Sequence, residues 1–296
     1  MTSGSIIDDM ARRDAILNIL HAALERHGIS LEMNRMDFHL REKVIVEQTT
    51  ARAGLSAAIL DFIFPKEPVP STVYHYTGLD AFRAIISSGE LRLRPVRNRL
   101  GQGGELEAFA QAHGLDGYLN SSDGEEFYKI LSDDLFYVSL TRAIPKDPSL
   151  MWGVFSGGTG VRLEFMVEPK PAASLRPIYY ERSGATTLLR EINEALRIAG
   201  EPPFIPWTIS RIGAFYLNWT VATEDEVRLL IKRHRDGVDC TKTDGTSDYW
   251  PIPLDQANDF CDLKLTGIHV APNGSRDEIT SALNGTRFSK VPVTGP

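Results

Sequence analysis

The chain has 296 residues, of which 42% are hydrophobic and 24% are charged, values close to those of globular proteins that bury a sizeable core. A formal net charge of −7 at pH 7 argues against a protein that wraps nucleic acid over its whole surface, although it permits local basic patches. No stretch approaches the roughly 18 apolar residues of a membrane-spanning helix, and the N-terminus lacks a signal-peptide core, so the sequence predicts a cytoplasmic protein with no membrane partner.

The first 65 residues are predicted to form a small helical unit. Apolar residues recur at helical spacing over 6–27, and Gly28 follows as a stop signal. A second helix is predicted over 36–53. A third, short helix is predicted over 56–64, with Ser56 as its N-cap.

A proline-rich segment then marks a domain boundary. Pro65, Pro68 and Pro70 cannot continue a helix, so the sequence predicts a helical unit over 1–65 and a second domain over 71–296. Beyond the boundary, helical and alternating patterns follow one another irregularly, and no G-x-G-x-x-G follows a strand. This texture favours an α+β fold with a split or bent mixed sheet over a doubly wound parallel sheet.

The elements of this second domain are predicted from hydrophobic periodicity. Alternating or continuous apolar runs predict strands over 72–77, 91–95, 135–141, 161–167, 227–233 and 265–271. Helical spacing predicts helices over 79–89 and 187–200, and an interrupted helical stretch over 104–132.

The segment STVYHYT places a histidine between two tyrosines at the end of a strand. Because side chains alternate along a strand, His75 and Thr77 share one side while Tyr74 and Tyr76 take the other. Such a group can offer a stacking surface beside a hydrogen-bonding imidazole. The alternative is that the tyrosines pack in a core and His75 is an ordinary half-buried residue.

A second segment, residues 135–165, combines two hydroxyls with a tryptophan. Ser139 and Thr141 lie on one face of a strong strand, and Trp152 begins a short helix that is followed by a glycine-rich connection. A partly exposed Trp152 would offer a face to a flat ring, and the glycines would let backbone approach a ligand. The alternative is a hairpin-like connection with Trp152 as a core anchor.

A third segment carries acidic residues immediately before a strand. Glu224 and Glu226 flank Asp225, and Glu226 and Arg228 fall on the same strand face, where they can pair. A carboxylate at this position can face a developing positive charge in a cleft. The alternative is a solvated acidic turn.

Other chemical signals are weaker or missing. Arg94 belongs to a run of arginines over 92–99 that can grip a pyrophosphate or a nucleic-acid backbone, or else form a solvated edge. No H-E-x-x-H, P-loop or G-x-S-x-G motif occurs. Cys240 and Cys261 have neither metal-site spacing nor an activating neighbour in sequence. The residues therefore predict no metal site and no activated nucleophile.

Taken in order, these segments resemble a bacterial family known as domain of unknown function 2971. Its patterns are Y-x-Y-[T/S], G-x-L-x-[LF], F-S-[LF]-[ST], M-W-x-x-[YF] with a glycine, E-x-E-x-R and a late strand [VI]-x-x-G. The corresponding positions extend from Tyr74 through Met151 and Glu226 to the strand LTGIHVAP. The resemblance covers residues 71–275 and leaves the N-terminal helices unexplained.

The opening also resembles ADP-ribosyltransferases of the diphtheria-toxin kind. The resemblance implies an ADP-ribosyltransferase type of fold in which His75 hydrogen-bonds the nicotinamide ribose of NAD and Tyr76 or Trp152 stacks on the nicotinamide. It implies that Glu226 stabilises the ribosyl oxocarbenium ion and orients the acceptor. The further NAD-binding positions expected from it are Tyr74, Thr77, Arg94, Ser139, Thr141, Glu224 and Arg228.

The function implied is therefore NAD-dependent ADP-ribosyl transfer without a metal. The acceptor is a protein, a nucleic acid or a small molecule, and the setting is that of a toxin, an effector or a phage-defence component. Two alternatives stay open, an NAD glycohydrolase and a ligand- or partner-binding module on the same fold without catalysis.

Overall fold

The structure is a computed structural model that describes residues 3–48, 54–99, 109–110, 113, 115, 134–181, 187–218, 224–233 and 239–296. Within these residues the chain is mixed α and β, with seven α-helices and a large mixed sheet. This confirms the predicted α+β class. In chain order the elements are α1 (Ser3–Glu25), β1 (Phe38–Leu40), β2 (Ile45–Glu47), α2 (Leu55–Ile63), β3 (Ser71–Thr77), α3 (Leu79–Ser88), β4 (Glu90–Pro95), β5 (Leu135–Thr141), α4 (Ser149–Ser156), β6 (Val161–Pro169), β7 (Ala173–Pro177), β8 (Tyr179–Glu181), α5 (Leu188–Ile198), β9 (Phe204–Ile205), α6 (Ile209–Ala214), β10 (Tyr216–Asn218), β11 (Glu226–Lys232), β12 (Lys242–Thr243), β13 (Asp248–Pro253), β14 (Cys261–Val270), α7 (Arg276–Leu283) and β15 (Val293–Thr294).

The chain forms two compact units, and each is built from several stretches of sequence. The first unit comprises residues 1–65, 99–132 and 179–219. The second comprises residues 66–98, 133–178 and 220–296. The chain first passes from the first unit to the second after residue 65, where the prolines predicted a boundary. The later crossings fall inside the stretch 71–296, which the sequence treated as one domain.

The first unit is not purely helical. The helix predicted over 36–53 is wrong for its described part, because β1 and β2 form an antiparallel pair there and β2 also pairs in parallel with β9. Residues 49–53 lie outside the described residues, as does most of the stretch 104–132. Ser56 is the second residue of α2 rather than its N-cap, and its hydroxyl and amide donate to the buried carboxylate of Glu47.

The helices of the first unit are held by an apolar interface between α1 and α5. The buried side chains are spaced three or four positions apart, so one stripe of each helix faces the other. On α1 they include Ile16, Leu20 and Leu24, and on α5 they include Leu189, Ile192 and Leu196. At the edge an ion pair joins Arg12 to Glu201, and a hydrogen bond joins Nε2 of His27 to the carboxylate of Glu191.

The second unit is built on a ten-stranded mixed sheet. Strand order is β12-β13-β4-β5-β3-β6-β14-β15, and β11 pairs with both β5 and β7. Strand alternation turns the apolar residues of β3, β5, β6, β11 and β14 to one side, where Phe82, Ile85 and Ile86 of α3 and Ile279 and Leu283 of α7 pack on them. The other side carries mainly polar residues and is contacted by α4.

The sheet splits along one edge of β5. On its other edge β5 pairs with β11 over its full length, from Leu135 to Thr141. On the split edge β4 pairs at Phe136 and Tyr137, whereas β3 pairs only at Thr141. The register therefore gives residues 138–140 no strand partner on that edge among the described residues. The local sequences that predicted β3, α3 and β5 place these elements within one or two residues of their observed ends.

None of the helices in the described part of the chain has the length and apolar character needed to cross a bilayer.

Candidate functional site

His75 lies at the split in the sheet. Its Nδ1 is 3.1 Å from the carbonyl oxygen of Ser139, in the part of β5 that neither β3 nor β4 pairs with. A carbonyl oxygen only accepts, so Nδ1 donates and carries the proton. Burial lowers the pKa of His75, an effect only partly offset by this hydrogen bond. The ring is therefore neutral near pH 7, and its Nε2 is an acceptor.

Ser139 also binds the predicted catalytic carboxylate. The Ser139 hydroxyl donates to Oε1 of Glu226 at 2.5 Å, and Nε of Arg228 donates to the same oxygen at 2.7 Å. The side chains of Arg228 and Glu226 are 0% and 3% exposed. The Arg228 guanidinium also lies over the ring of Tyr137, at 4.7 Å from its centroid. The predicted pairing of Glu226 with Arg228 is confirmed, and a solvated acidic turn does not describe Glu226.

His75 and Glu226 approach Ser139 from different sides of the sheet. Glu226 pairs with Thr141, and Thr141 pairs with Tyr74, so the Glu226 side chain shares the side of Tyr74. His75 follows Tyr74 and points to the opposite side. Both contact Ser139, His75 through the backbone carbonyl at the unpaired edge of β5 and Glu226 through the serine hydroxyl from the paired β11. Three distant segments thus meet at one residue.

Thr141 and Thr77 support this arrangement rather than line it. Thr141 is buried, and its hydroxyl donates to the backbone carbonyl of Tyr74 at 3.4 Å, beside the single pair that joins β3 to β5. Thr77 is buried at the end of β3, where it pairs with Val161 of β6.

Trp152 is buried rather than partly exposed. Its ring meets that of Tyr76 edge to face, with centroids 4.8 Å apart, and the two pack with Met151 and Ala271. The packing alternative therefore describes Trp152, because α4 turns Met151 and Trp152 toward the sheet. Tyr74 is half-buried at the edge of this cluster.

Gly160, at the end of the connection after α4, is required by close packing of the backbone. A Cβ at Gly160 would overlap the carbonyl oxygen of Thr77 and would lie 2.9 Å from Cα of Gly78. Gly160 therefore allows the backbone entering β6 to pass against the end of β3.

Arg94 lies outside the group around Ser139, and Glu224 precedes the strand that carries Glu226. The guanidinium of Arg94 donates to Asp244 at 2.6 Å and to Ser247 at 2.7 Å. Asp244 also binds Arg92, so the arginine run of β4 is neutralised by the turn before β13. Glu224 is half-buried ahead of β11, and the following Asp225 has a positive φ of 43°, which separates Glu224 from the strand.

Two charged residues of the site were not singled out from the sequence. Arg162 and Glu164 alternate with core residues along β6 and pair directly with Tyr76 and Tyr74. The sequence VRLEF could have indicated these two residues. Two charged residues at alternate positions of an internal strand mark a face of the sheet that is polar or covered by another element.

No family model, curated protein or solved structure matches the chain. The resemblances to family 2971 and to ADP-ribosyltransferases stay predictions.

Metal and thiol chemistry find no support in the described residues. Within the described ranges, no three His, Cys, Asp or Glu side chains come together as metal ligands would. Cys261 is buried, and burial raises the pKa of its thiol to about 12, so it is a packing residue rather than a nucleophile.

The group around Ser139 is rich in acceptors. On the side of Tyr74 it presents the carboxylate of Glu226, and on the opposite side it presents the neutral Nε2 of His75. The carboxylate suits a ligand that carries positive charge, as a ribosyl cation does.

Proposed function

We propose that the second unit binds NAD and transfers its ADP-ribosyl group to an acceptor nucleophile. The observation that carries the proposal is the double role of Ser139, whose carbonyl holds the imidazole of His75 and whose hydroxyl holds the carboxylate of Glu226. The two residues that the family resemblance assigns to NAD chemistry are thus fixed by one serine at the split in the sheet. The family resemblance indicates NAD as the substrate. The contacts of Ser139 with His75 and Glu226 support this proposal.

The reaction breaks the bond between C1′ of the ribose and N1 of the nicotinamide. The bonding electron pair stays on N1 and neutralises the pyridinium ring, which leaves as nicotinamide. Positive charge then develops on C1′ and the ring oxygen of the ribose. An acceptor nucleophile attacks C1′ and releases a proton. The protein's task is to stabilise the positive charge and to orient the acceptor.

Glu226 and His75 divide this task. The carboxylate of Glu226 faces the developing charge, and Arg228 and Ser139 fix its position so that no reorganisation is needed in the transition state. His75 lies on the opposite side of the sheet and acts as a positioning residue, because its Nδ1 holds the carbonyl of Ser139, whose hydroxyl holds Glu226.

Nicotinamide release from NAD by the purified full-length chain tests the proposal. We expect Glu226→Gln to lower kcat about 100-fold or more, since it removes a charge aimed at the transition state. We expect His75→Gln to lower kcat by a smaller factor than Glu226→Gln, because His75 acts only through the position of Ser139. Glu168→Gln, an exposed carboxylate of β6, is the matched control and should leave the rate unchanged.

Thermal unfolding and circular dichroism of each variant separate loss of activity from loss of structure. No nicotinamide release by the folded wild-type chain with any acceptor would overturn the proposal. Equal rates in wild type and Glu226→Gln would overturn the role of the carboxylate.

A second candidate is binding of the dinucleotide without turnover. The near-complete burial of Glu226 against Arg228 favours it, because a buried ion pair can serve structure alone. Calorimetric binding of NAD without nicotinamide release identifies this case. Release of nicotinamide with free ADP-ribose and no labelled acceptor identifies a glycohydrolase.

A further inference from the structure

Arg162 carries a positive charge that no described group neutralises. It lies half-buried in β6, and its guanidinium rests on the ring of Tyr74 at 5.2 Å from the centroid. Its Nε is buried and has no hydrogen-bond partner among the described residues. Arginines on other strands of the same face differ, since Arg94 of β4 binds Asp244 and Arg228 of β11 binds Glu226.

A carboxylate lies on the same face of β6, but none of the ion pairs of the described residues joins it to Arg162. Glu164 lies two residues along the same face of β6, but its Oε1 accepts from the hydroxyl of Thr266 at 3.0 Å. His269, paired with Arg162 across β14, has a pKa lowered first by burial and then by the charge of Arg162. The positive charge of Arg162 therefore acts on the neighbouring imidazole of His269.

A second unsatisfied donor lies directly across the strand pair. Tyr76 pairs with Arg162, is 5% exposed, and its buried hydroxyl has no hydrogen-bond partner among the described residues. A buried polar group left unpaired costs about 1–3 kcal/mol, so two of them side by side call for an explanation. A ligand with several acceptor oxygens supplies one.

We infer that Arg162 and Tyr76 form a subsite for the diphosphate of the dinucleotide, an inference that rests on the proposed function. A phosphate group offers two acceptor oxygens to the planar guanidinium of Arg162. Its negative charge would also serve as the counter-ion of this arginine. Since no described residue holds Nε of Arg162 by a hydrogen bond, a ligand at this place competes only with the contact of the guanidinium on Tyr74.

The position of the subsite fits the reaction centre. Tyr76 and Arg162 lie on the side of the sheet that carries Glu226, because Tyr74 pairs with Thr141 and Thr141 with Glu226. Glu164, two residues from Arg162 on the same face, lies two strand spacings from Thr141 through Tyr74, on the order of 10 Å. In a dinucleotide the diphosphate follows the ribose, so one ligand reaches both places.

Calorimetric titration of the full-length chain with ADP, nicotinamide riboside and inorganic phosphate tests the inference. We expect ADP to bind, and Arg162→Gln to weaken ADP about tenfold or more while leaving the affinity for nicotinamide riboside, which has no phosphate, unchanged. Tyr76→Phe should weaken ADP by a few fold without lowering the melting temperature, because it removes only an unpaired hydroxyl. Arg83→Gln, an exposed arginine of α3 paired with Glu278, is the control.

The outcomes separate this inference from the proposed function. ADP affinity that is undetectable in wild type, or unchanged in Arg162→Gln, overturns the subsite even if nicotinamide is released from NAD. Inorganic phosphate that binds as tightly as ADP, with the same dependence on Arg162, assigns the subsite to free phosphate and overturns the dinucleotide. Arg162-dependent ADP binding without nicotinamide release supports the subsite and contradicts catalysis.

Discussion

Glu226 and Arg228 form a buried ion pair, and this determines how each can be replaced. Removing one partner of such a pair leaves an uncompensated charge, which costs about 3–5 kcal/mol. Arg228 has no solvent exposure to relieve that charge.

We therefore expect Glu226→Ala to lower the free energy of unfolding by about 3–5 kcal/mol in urea denaturation. The double variant Glu226→Gln, Arg228→Met should cost less than the sum of its two single variants, since no lone charge remains. Additive losses would show that the two side chains are not coupled.

His75 gives the stability of the second unit a pH dependence. Its pKa is lowered in the folded state by burial, so the unfolded chain binds a proton more readily than the folded chain below about pH 6.5. The stability is therefore full above that pH and is lost as the pH falls toward the lowered pKa.

We expect the melting temperature of the wild type to fall more than that of His75→Gln between about pH 7.5 and pH 5.5, by a few degrees. His269 also has a lowered pKa and contributes equally to both proteins, so the difference reports His75. Parallel pH profiles of the two proteins would contradict a buried neutral imidazole.

Sequence reasoning reached part of the site at this scale. Strand alternation alone predicted that Glu226 pairs with Arg228 and that Ser139 and Thr141 share a face. It could not show that Arg94 is neutralised by Asp244, because that partner lies 150 positions away along the chain. The burial of Trp152 likewise depends on contact with β3.

Among the elements, the turn from α4 into β6 is sterically tight. Gly160 lies against the end of β3, and a Cβ there would be 2.9 Å from both the Ser156 carbonyl oxygen and Cα of Gly78. Gly153 lies within α4 with open space around it.

We expect Gly160→Ala to lower the free energy of unfolding by about 2–3 kcal/mol, because backbone atoms must move to admit the methyl group. Gly153→Ala should instead raise it by about 0.5–1 kcal/mol through helix propensity. Chemical denaturation measures both, and equal effects of the two substitutions would contradict the close packing of α4, β3 and β6.

Several long elements with a clear hydrophobic period were predicted from the sequence, whereas the three-residue strands β1 and β2 were not. β3, α3, β5 and α5 each contain seven or more residues, enough for a period to be recognised. β1 and β2 have three residues each, and β2 is completed by β9, which lies far along the chain. Local pattern therefore could not distinguish this hairpin from a helix.

Across the whole molecule, each unit is assembled from separate stretches of chain. The sequence predicted one boundary because prolines mark it locally, whereas the later crossings carry no such mark. The helix α5, predicted as part of the second domain, instead belongs to the first unit, where its apolar stripe faces α1.

A truncated chain of residues 66–296 should therefore fold poorly. It lacks α1 and exposes the buried residues Leu189, Ile192 and Leu196 of α5. We expect it to bind a hydrophobic dye and to aggregate in size-exclusion chromatography, unlike the full chain. A monomeric, dye-free fragment would show that the N-terminal residues form a separable domain.

A crystal structure of the Glu226→Gln variant soaked with NAD tests the central claim most directly, since slowed cleavage preserves the intact dinucleotide. We expect the nicotinamide ribose on the side of the sheet that carries residue 226, with C1′ beside that residue and the diphosphate beside Arg162. Saturating NAD that occupies another place, or that binds nowhere on the second unit, would contradict the account.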